Sequence, residues 1–527
     1  MSNEIAQHWQ LILLSTYACY LITSTIYTAF LGPLSKYPGP FLAKISALPS
    51  WYYSLKGTRH MWIWQCHQTY GDIVRFHPNG LLFNSTTAYR AMNGAKANVR
   101  KGTFYDVWTR TAGSLNTLNT TDRGIHARKR RILNAAFSDS TIRSAEAFII
   151  KHVDRWCELL QGEDGEDWGS PKNMADQCDN LMFDTMADLS FGNSFEIKEP
   201  GEHPLRNVPK FIHGFVAFNW AIGQSPFVEL WVWLKPRGLD TLLNRFSPKG
   251  VLAYLEFTRT CMKERAELET SQANELEEDK RKDLFHYLFK AEDPETGTPY
   301  TEEEVVSEAG LLIVAGSDTC SVVLSGFFFY LTQNPEVYEK LTAEIRGKFS
   351  SVNEIRAGGP LASCQYLRAC IDEALRMCPP IPSDLPRVTL KGGAKIDNEF
   401  IPGGVRISSA IWSLHYNEEY FSDPFTFRPE RWIVSEKVRL EDVSRANSAL
   451  LPFSYGPGNC VGQRLAMMEL SIILARTLFL MDVTVDRNGP GTMRGTELEE
   501  SKGLFAAKSL YIFQREGPIV RFKRRRF

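Results

Sequence analysis

The apolar positions of the chain gather into a few long runs, and each run predicts a different kind of element. From Ile5 to Ser35 there is no Lys, Arg, Asp or Glu. Within that stretch Trp9 to Leu31 is long enough to cross a hydrocarbon core of ~30 Å. A cleaved signal peptide is the competing reading; the stretch lacks a basic n-region and an A-x-A site, and it is long for an h-region. Lys36, Lys44, Lys56 and Arg59 follow the span and only Glu4 precedes it. That asymmetry puts the rest of the chain on the cytosolic side. Far downstream, Thr301-Glu302-Glu303-Glu304 reads as a capping box, and the apolar pattern then continues to Gln333, where Asn334-Pro335 ends it. At 1.5 Å per residue this helix is roughly 50 Å long, a length needed only through the middle of a large domain. A third run opens at Gln463 with Leu465, Ala466, Met467, Leu470, Ile472, Ile473 and Leu474.

Shorter patterns fill the intervals. Ile73–His77 and Leu81–Asn84 flank Pro78-Asn79-Gly80, a hairpin signal. Residues 103–122 read as a polar loop. Residues 205–240 carry Phe211, Phe215, Phe218, Trp220, Phe227, Trp231 and Trp233, an aromatic stripe that usually means core. Residues 263–283 are dense in both charge signs and read as a solvated segment. Pro379 to Pro386 holds four prolines and cannot be helix. The pattern predicts long helices, a hairpin and an N-terminal membrane anchor over residues 1–36.

Composition changes this picture little. The chain is 43% apolar and 12% aromatic, enough for one large core, and its net charge of −1 gives no reason to expect nucleic acid as a partner. The basic tail Arg521-Phe522-Lys523-Arg524-Arg525-Arg526 reads as solvated or as a membrane-surface contact. Ten cysteines are scattered without a CxxC pair, which indicates a reducing compartment and mostly inert thiols.

One cysteine stands apart. Pro452-Phe453-Ser454-Tyr455-Gly456-Pro457-Gly458-Asn459-Cys460-Val461-Gly462 is a Gly/Pro-punctuated loop running into the helix at Gln463. Glycines let such a loop fold tightly. Unpaired amides and the helix dipole at its end favour a thiolate, which suits a soft metal centre, and Phe453 can shield it from water. Inside the long helix sits Ala315-Gly316-Ser317-Asp318-Thr319. A glycine and polar residues in mid-helix are costly unless something uses them; the plain alternative is a kink with Thr319 bonding back one turn. His126 and Arg130 share a helical face, as do Glu373 and Arg376.

Together these segments resemble the cytochromes P450. The cysteine loop matches F-x-x-G-x-R-x-C-x-G at Phe453, Gly456, Cys460 and Gly462, departing only where Gly458 replaces the basic residue. Ala315–Thr319 is similar to the oxygen-activation motif, Glu373-Ala374-Leu375-Arg376 to ExxR, and Pro429-Glu430-Arg431-Trp432 to the P-E-R-F/W segment. The resemblance implies a mainly α fold with small β-sheets, a single haem-thiolate catalytic domain over 37–527, and haem b with Cys460 as axial thiolate ligand. It also implies His126, Arg130 and Arg387 on the haem propionates, and Asp318 and Thr319 as the catalytic acid–alcohol pair, with the glycine of the motif letting haem and dioxygen approach. By the same token Glu373, Arg376 and Arg431 form a buried ionic triad, Tyr37-Pro38-Gly39-Pro40 is a hinge after the anchor, and residues 205–240 form a roof over the substrate, with Trp231, Trp233 and Lys235 at the membrane interface. The implied activity is insertion of one oxygen atom from dioxygen into a small apolar organic substrate, as in membrane-bound fungal members of secondary-metabolite biosynthesis. No flavin- or nicotinamide-binding domain is read in the sequence, so electrons are expected from a separate NADPH-cytochrome P450 reductase. The expected location is the endoplasmic reticulum membrane, single-pass, with the catalytic domain cytosolic. The alternatives are a desaturase or isomerase on the same scaffold, or a non-catalytic haem or sterol binder.

Overall fold

A computed structural model describes residues 2–526 apart from 110–114, 162–167, 246–248, 272–280 and 487–494. The architecture is mainly helical with small sheets. Its axis is the long helix Glu302–Gln333, which opens on the expected capping box: the Thr301 hydroxyl accepts from the Glu304 amide, and the Glu304 carboxylate accepts from the Thr301 amide. From Cys320 to Phe328 every residue of this helix is buried. It lies along Met174–Phe191, itself buried almost throughout, and glycine permits the close approach. A Cβ on Gly316 would meet the Met186 side chain at 2.6 Å, and one on Gly326 would meet Cys378 Cβ at 2.8 Å. Gly316 therefore makes room for a packed methionine, where the motif had suggested room for haem and dioxygen.

Five short strands form the largest sheet: β1 Ile73–His77, β2 Gly80–Phe83, β3 Val99–Lys101, β4 Arg387–Thr389 and β5 Arg406–Ser408, in the order β1-β2-β5-β4-β3. β1 and β2 are the expected hairpin, with a register shift between Arg75 and His77. β4 delivers Arg387 from the proline-rich segment into the interior. Near the C-terminus β6 Ala507–Leu510 and β7 Ile512–Arg515 form a hairpin whose turn residue, Tyr511, has φ +81°. Its ring packs with Phe104, Trp108 and Trp220.

The N-terminal helix Ser2–Ile26 continues into a wider turn at Tyr27–Leu31. Leu11–Leu31 is long and apolar enough to cross a membrane, and its large side chains are exposed. The segment just after it belongs to the body: Leu34 is buried with Leu81, Phe83 and Ile407, and Arg75 Nη2 donates to the Thr28 carbonyl at 2.8 Å.

Three expectations change. Within 103–122, Thr103–Trp108 is a short 3-10 helix with Phe104, Tyr105 and Val107 buried, because its apolar residues turn inward under the aromatic roof. Within 263–283 most of 263–271 is exposed as expected, but Arg265 is buried, with Asp283 Oδ1 at 2.9 Å and Glu269 at 3.0 Å, so these three charges have paired and left water together. The basic tail is a strand, Ile519–Arg524, antiparallel to Met481–Val485. Its alternation decides this, with Val520 and Phe522 fully buried between less buried cations.

Candidate functional site

The cysteine loop is fixed by its backbone. Gly456 has φ +75°, and a Cβ there would lie 1.9 Å from the Asn93 carbonyl oxygen, so no other residue fits. Ser454 bonds Tyr89 at 2.8 Å, and the Cys460 amide donates to the Phe453 carbonyl at 2.8 Å. Phe453 is half-buried against the main core. The Cys460 side chain retains open area although protein surrounds it, and in mid-helix Ala315 is exposed and Thr319 half-buried. Open area on a thiol so enclosed marks an internal chamber beside the cysteine loop. The Cys460 thiol does not follow the sequence expectation. Burial raises its pKa, and the Gly462 amide and Arg130 only oppose that rise. Desolvation outweighs the loop–helix setting, so a thiolate here calls for a cation bound directly to it.

The expected cations converge beside this loop. Arg130, on the helix Arg123–Ala136, reaches both the backbone carbonyl and the side chain of Asn459, the latter at 2.6 Å. Arg387 is buried, donates to the Tyr105 hydroxyl at 2.9 Å, and has Nη2 3.7 Å from where a Cβ of Gly458 would stand. His126 is half-buried; burial first, then Lys101, Arg130 and Arg387, push its pKa down to about 3. Lys101, at the end of β3, is pushed down to about 7 by burial and by Arg387. His126 and Lys101 are both pushed down by burial and by the cations around them, so the cluster they form with Arg130 and Arg387 asks for an anion, and the carboxylates of a haem fit that place. Lys101 was missed in the sequence, where a lone lysine closing a short strand carries no signal.

On the long helix the Thr319 hydroxyl donates to the Ala315 carbonyl at 2.7 Å, so the plain back-bonded geometry is present. Asp318 points away into protein: its side chain has no exposed area, and Oδ1 meets His213 Nε2 at 2.8 Å. His213 was not foreseen; one histidine in an aromatic stripe does not announce a carboxylate partner. The next residue, Cys320, donates weakly to Glu469 at 3.6 Å, and burial pushes that carboxyl up to about 8. Lys235 lies away from the expected interface, bonding the Val107 carbonyl at 2.8 Å and also that of Thr109.

The ionic triad forms as the motifs implied. Arg376 Nη2 and Arg431 Nε lie 2.8 Å and 3.0 Å from Glu373 Oε1. The Arg428 amide also donates to Oε1, while Arg376 Nε and the Trp432 indole reach Oε2. His415, another residue the sequence did not flag, carries this rigidity to the cysteine loop. Its Nδ1 donates to the Arg376 carbonyl at 2.9 Å, and its Nε2 accepts from the Leu451 amide at 3.1 Å. Burial pushes its pKa down to about 3, which keeps it neutral for that double role.

Comparison with known proteins identifies the family. The family model described as Cytochrome P450 matches residues 35–505. The chain is 34% identical to the cytochrome P450 monooxygenase fscF of Fusarium equiseti, over 100% of this chain and 98% of the relative. It is 35% identical to the cytochrome P450 monooxygenase AKT7 of Alternaria alternata, over 90% and 88%. To poxM of Penicillium oxalicum, also a cytochrome P450 monooxygenase, it is 34% identical over 97% and 94%.

Proposed function

The chain belongs to the cytochrome P450 family of haem-thiolate monooxygenases, and on that footing we propose that Cys460 is the axial ligand of a haem b seated in the chamber between its loop and the long helix. When bound, the haem supplies the oxidising chemistry, by which one atom of dioxygen enters an organic substrate and the other leaves as water. The observation that carries this reading is the meeting of one thiol, open toward an internal chamber, with four basic side chains beside it.

Each residue then has a task. His126, Arg130 and Arg387 hold the propionates, His126 as a neutral donor and Arg387 from a buried position where a charge-assisted hydrogen bond is strong; Lys101 adds a further basic group. Phe453 and the turn at Gly456 exclude water from the sulfur. Asp318 holds and passes a proton at its carboxylate, and Thr319 orients that proton's path with its hydroxyl. This acid–alcohol pair supports dioxygen cleavage over isomerisation. Phe104, Trp108, Trp220 and Tyr511 pack on one another beneath the roof helix, the family supports a small apolar substrate, and the fungal relatives support a place in secondary metabolism.

The chain is read as an anchor over residues 1–36 and one catalytic domain over 37–527. Exposed Phe218, Phe227, Leu230 and Trp233 on the roof, beside exposed Leu48 and Tyr52, support a body resting on the cytosolic face of the endoplasmic reticulum membrane. Trp51 ties the two patches, its indole donating to the Ala221 carbonyl at 3.0 Å and its ring 6.3 Å from that of Phe227. Electrons come from a separate NADPH-dependent flavin reductase. The test is the full-length protein with reductase, NADPH and a panel of apolar pathway intermediates under heavy-isotope dioxygen. One heavy oxygen atom in the product is expected; turnover with none in the product overturns the monooxygenase reading.

A further inference from the structure

The acid of the long helix sits in a network of four charged groups drawn from four elements. His213 lies on the roof helix Val208–Gly223, with Nε2 2.8 Å from Asp318 Oδ1 and 4.0 Å from Asp179 Oδ2. Asp179, on Met174–Phe191, accepts from Arg515 Nη2 at 2.7 Å and from the Ser321 hydroxyl at 2.7 Å. Arg515 belongs to β7, whose neighbour Gln514 donates to the His213 carbonyl at 2.9 Å. Around Asp176, one turn before Asp179, stand Lys210 and Glu516.

Charge balance assigns the state of the imidazole. Asp179 and Arg515 neutralise each other, which leaves the Asp318 carboxylate buried with His213 as its partner. An uncompensated buried charge is costly, so an ionised Asp318 is matched by a protonated His213, and a proton moved between them leaves the pair neutral. The same balance argues against a divalent cation among Asp179, His213 and Asp318, since Arg515 already supplies the second positive charge. In agreement, Asp318 and Asp179 raise the His213 pKa above its ordinary 6.5 against the opposing effect of burial. Two asymmetries give the network a direction. His213 is the most exposed member, its side chain 18% accessible where Asp318 is 0%. Asp318 Oδ2 is buried and has no hydrogen-bond partner among the described residues, so one oxygen is held by the roof and the other is free to bond elsewhere.

We propose that His213 is the proton donor that recharges Asp318. The Nε2–H bond of the imidazolium breaks, an O–H bond forms at Asp318 Oδ1, and the neutral ring regains a proton from water; no electrons change hands. Because His213 rides on the roof helix, this transfer exists only while that helix lies against the long helix. The inference rests on the reading of Asp318 given above.

His213→Gln keeps a hydrogen-bond donor and removes the titration. The first measurement is thermal unfolding of the resting protein across pH, without NADPH or substrate. The pKa of His213 is raised in the folded state, so its contribution to stability is fully present below about pH 6.5 and is lost as pH rises through the folded value. The wild type should therefore melt higher than His213→Gln at acid pH and converge with it at alkaline pH. The second measurement is NADPH oxidation with reductase and dioxygen alone, in ordinary and heavy water. The wild-type rate should fall severalfold as pH rises and slow in heavy water, whereas the variant should be slower and flat with pH. His213→Lys, which keeps a cation of higher pKa, should move the inflection to higher pH, and it serves if the glutamine variant does not fold. A melting difference independent of pH, or the same pH–rate profile in both proteins, overturns the proposal. The melting test needs no catalysis, so its outcome is separable from any failure of the monooxygenase reading.

Discussion

Glu373 and Asp318 are both carboxylates with no exposed side-chain area, each paired with cations, yet their surroundings differ in one respect that matters. Glu373 has both oxygens filled, by two arginines, an indole and a backbone amide. Its network continues through His415 to Leu451 at the root of the cysteine loop. Asp318 has one oxygen on a half-buried imidazole and the other on nothing. Saturated bonding locks a geometry, because any movement strands a charge. A network one bond short can change partners at low cost, which is what a group that receives and passes protons needs. The same ion-pair chemistry thus saturates the support behind the cysteine loop and leaves the acid of the long helix one bond short among the described residues.

The largest effect should come from breaking the saturated side. Glu373→Ala leaves Arg376 and Arg431 buried and unpaired, a loss of roughly 3–5 kcal/mol. Thermal unfolding should fall accordingly and the purified protein should carry little haem. A variant that folds and loads normally would mean the triad does not support the loop. Disturbing the unsaturated side should cost function instead of stability. Thr319→Ala keeps haem and substrate binding, since its hydroxyl bonds back to the Ala315 carbonyl of its own helix, but hydrogen peroxide should appear at the expense of product. Unchanged coupling of NADPH to product would remove Thr319 from the mechanism.

How much of this was legible in the sequence follows from what each feature depends on. The long helix announced itself through Thr301 and Glu304, because a capping box is local. The cysteine loop did so through glycine spacing, and Gly456 shows why: an adjacent carbonyl leaves no room for a side chain. Glu373, Arg376 and Arg431 were found through spaced motifs, not through any local property. His213, His415 and Lys101 were missed because each is a single polar residue whose partner lies far away in sequence, and no periodicity encodes such a meeting. The charged stretch 263–283 and the basic tail misled for a related reason: charge density suggests solvent unless the partners, or the alternating apolar positions between the charges, are given their weight.

Gly458 offers the smallest and finest test of the saturated side. Its backbone lies outside the left-handed region and its Cβ position is open except for Arg387 Nη2 at 3.7 Å, so Gly458→Arg can be accommodated. A sheltered charge-assisted hydrogen bond nets about 1.5–3 kcal/mol, and repulsion from Arg387 reduces this. Haem transfer to an apo-globin trap should slow modestly. Equal or faster loss would show that Arg387 already fills the place of the missing basic residue.

The claim on which both sides of the comparison depend is that Cys460 carries the iron. It is tested most directly by the spectrum of the dithionite-reduced, carbon monoxide-treated protein, wild type against Cys460→Ala. The account predicts the long-wavelength Soret band of a thiolate-ligated haem in the wild type and its complete absence in the variant. The same band persisting in Cys460→Ala would place the thiolate elsewhere and contradict the assignment.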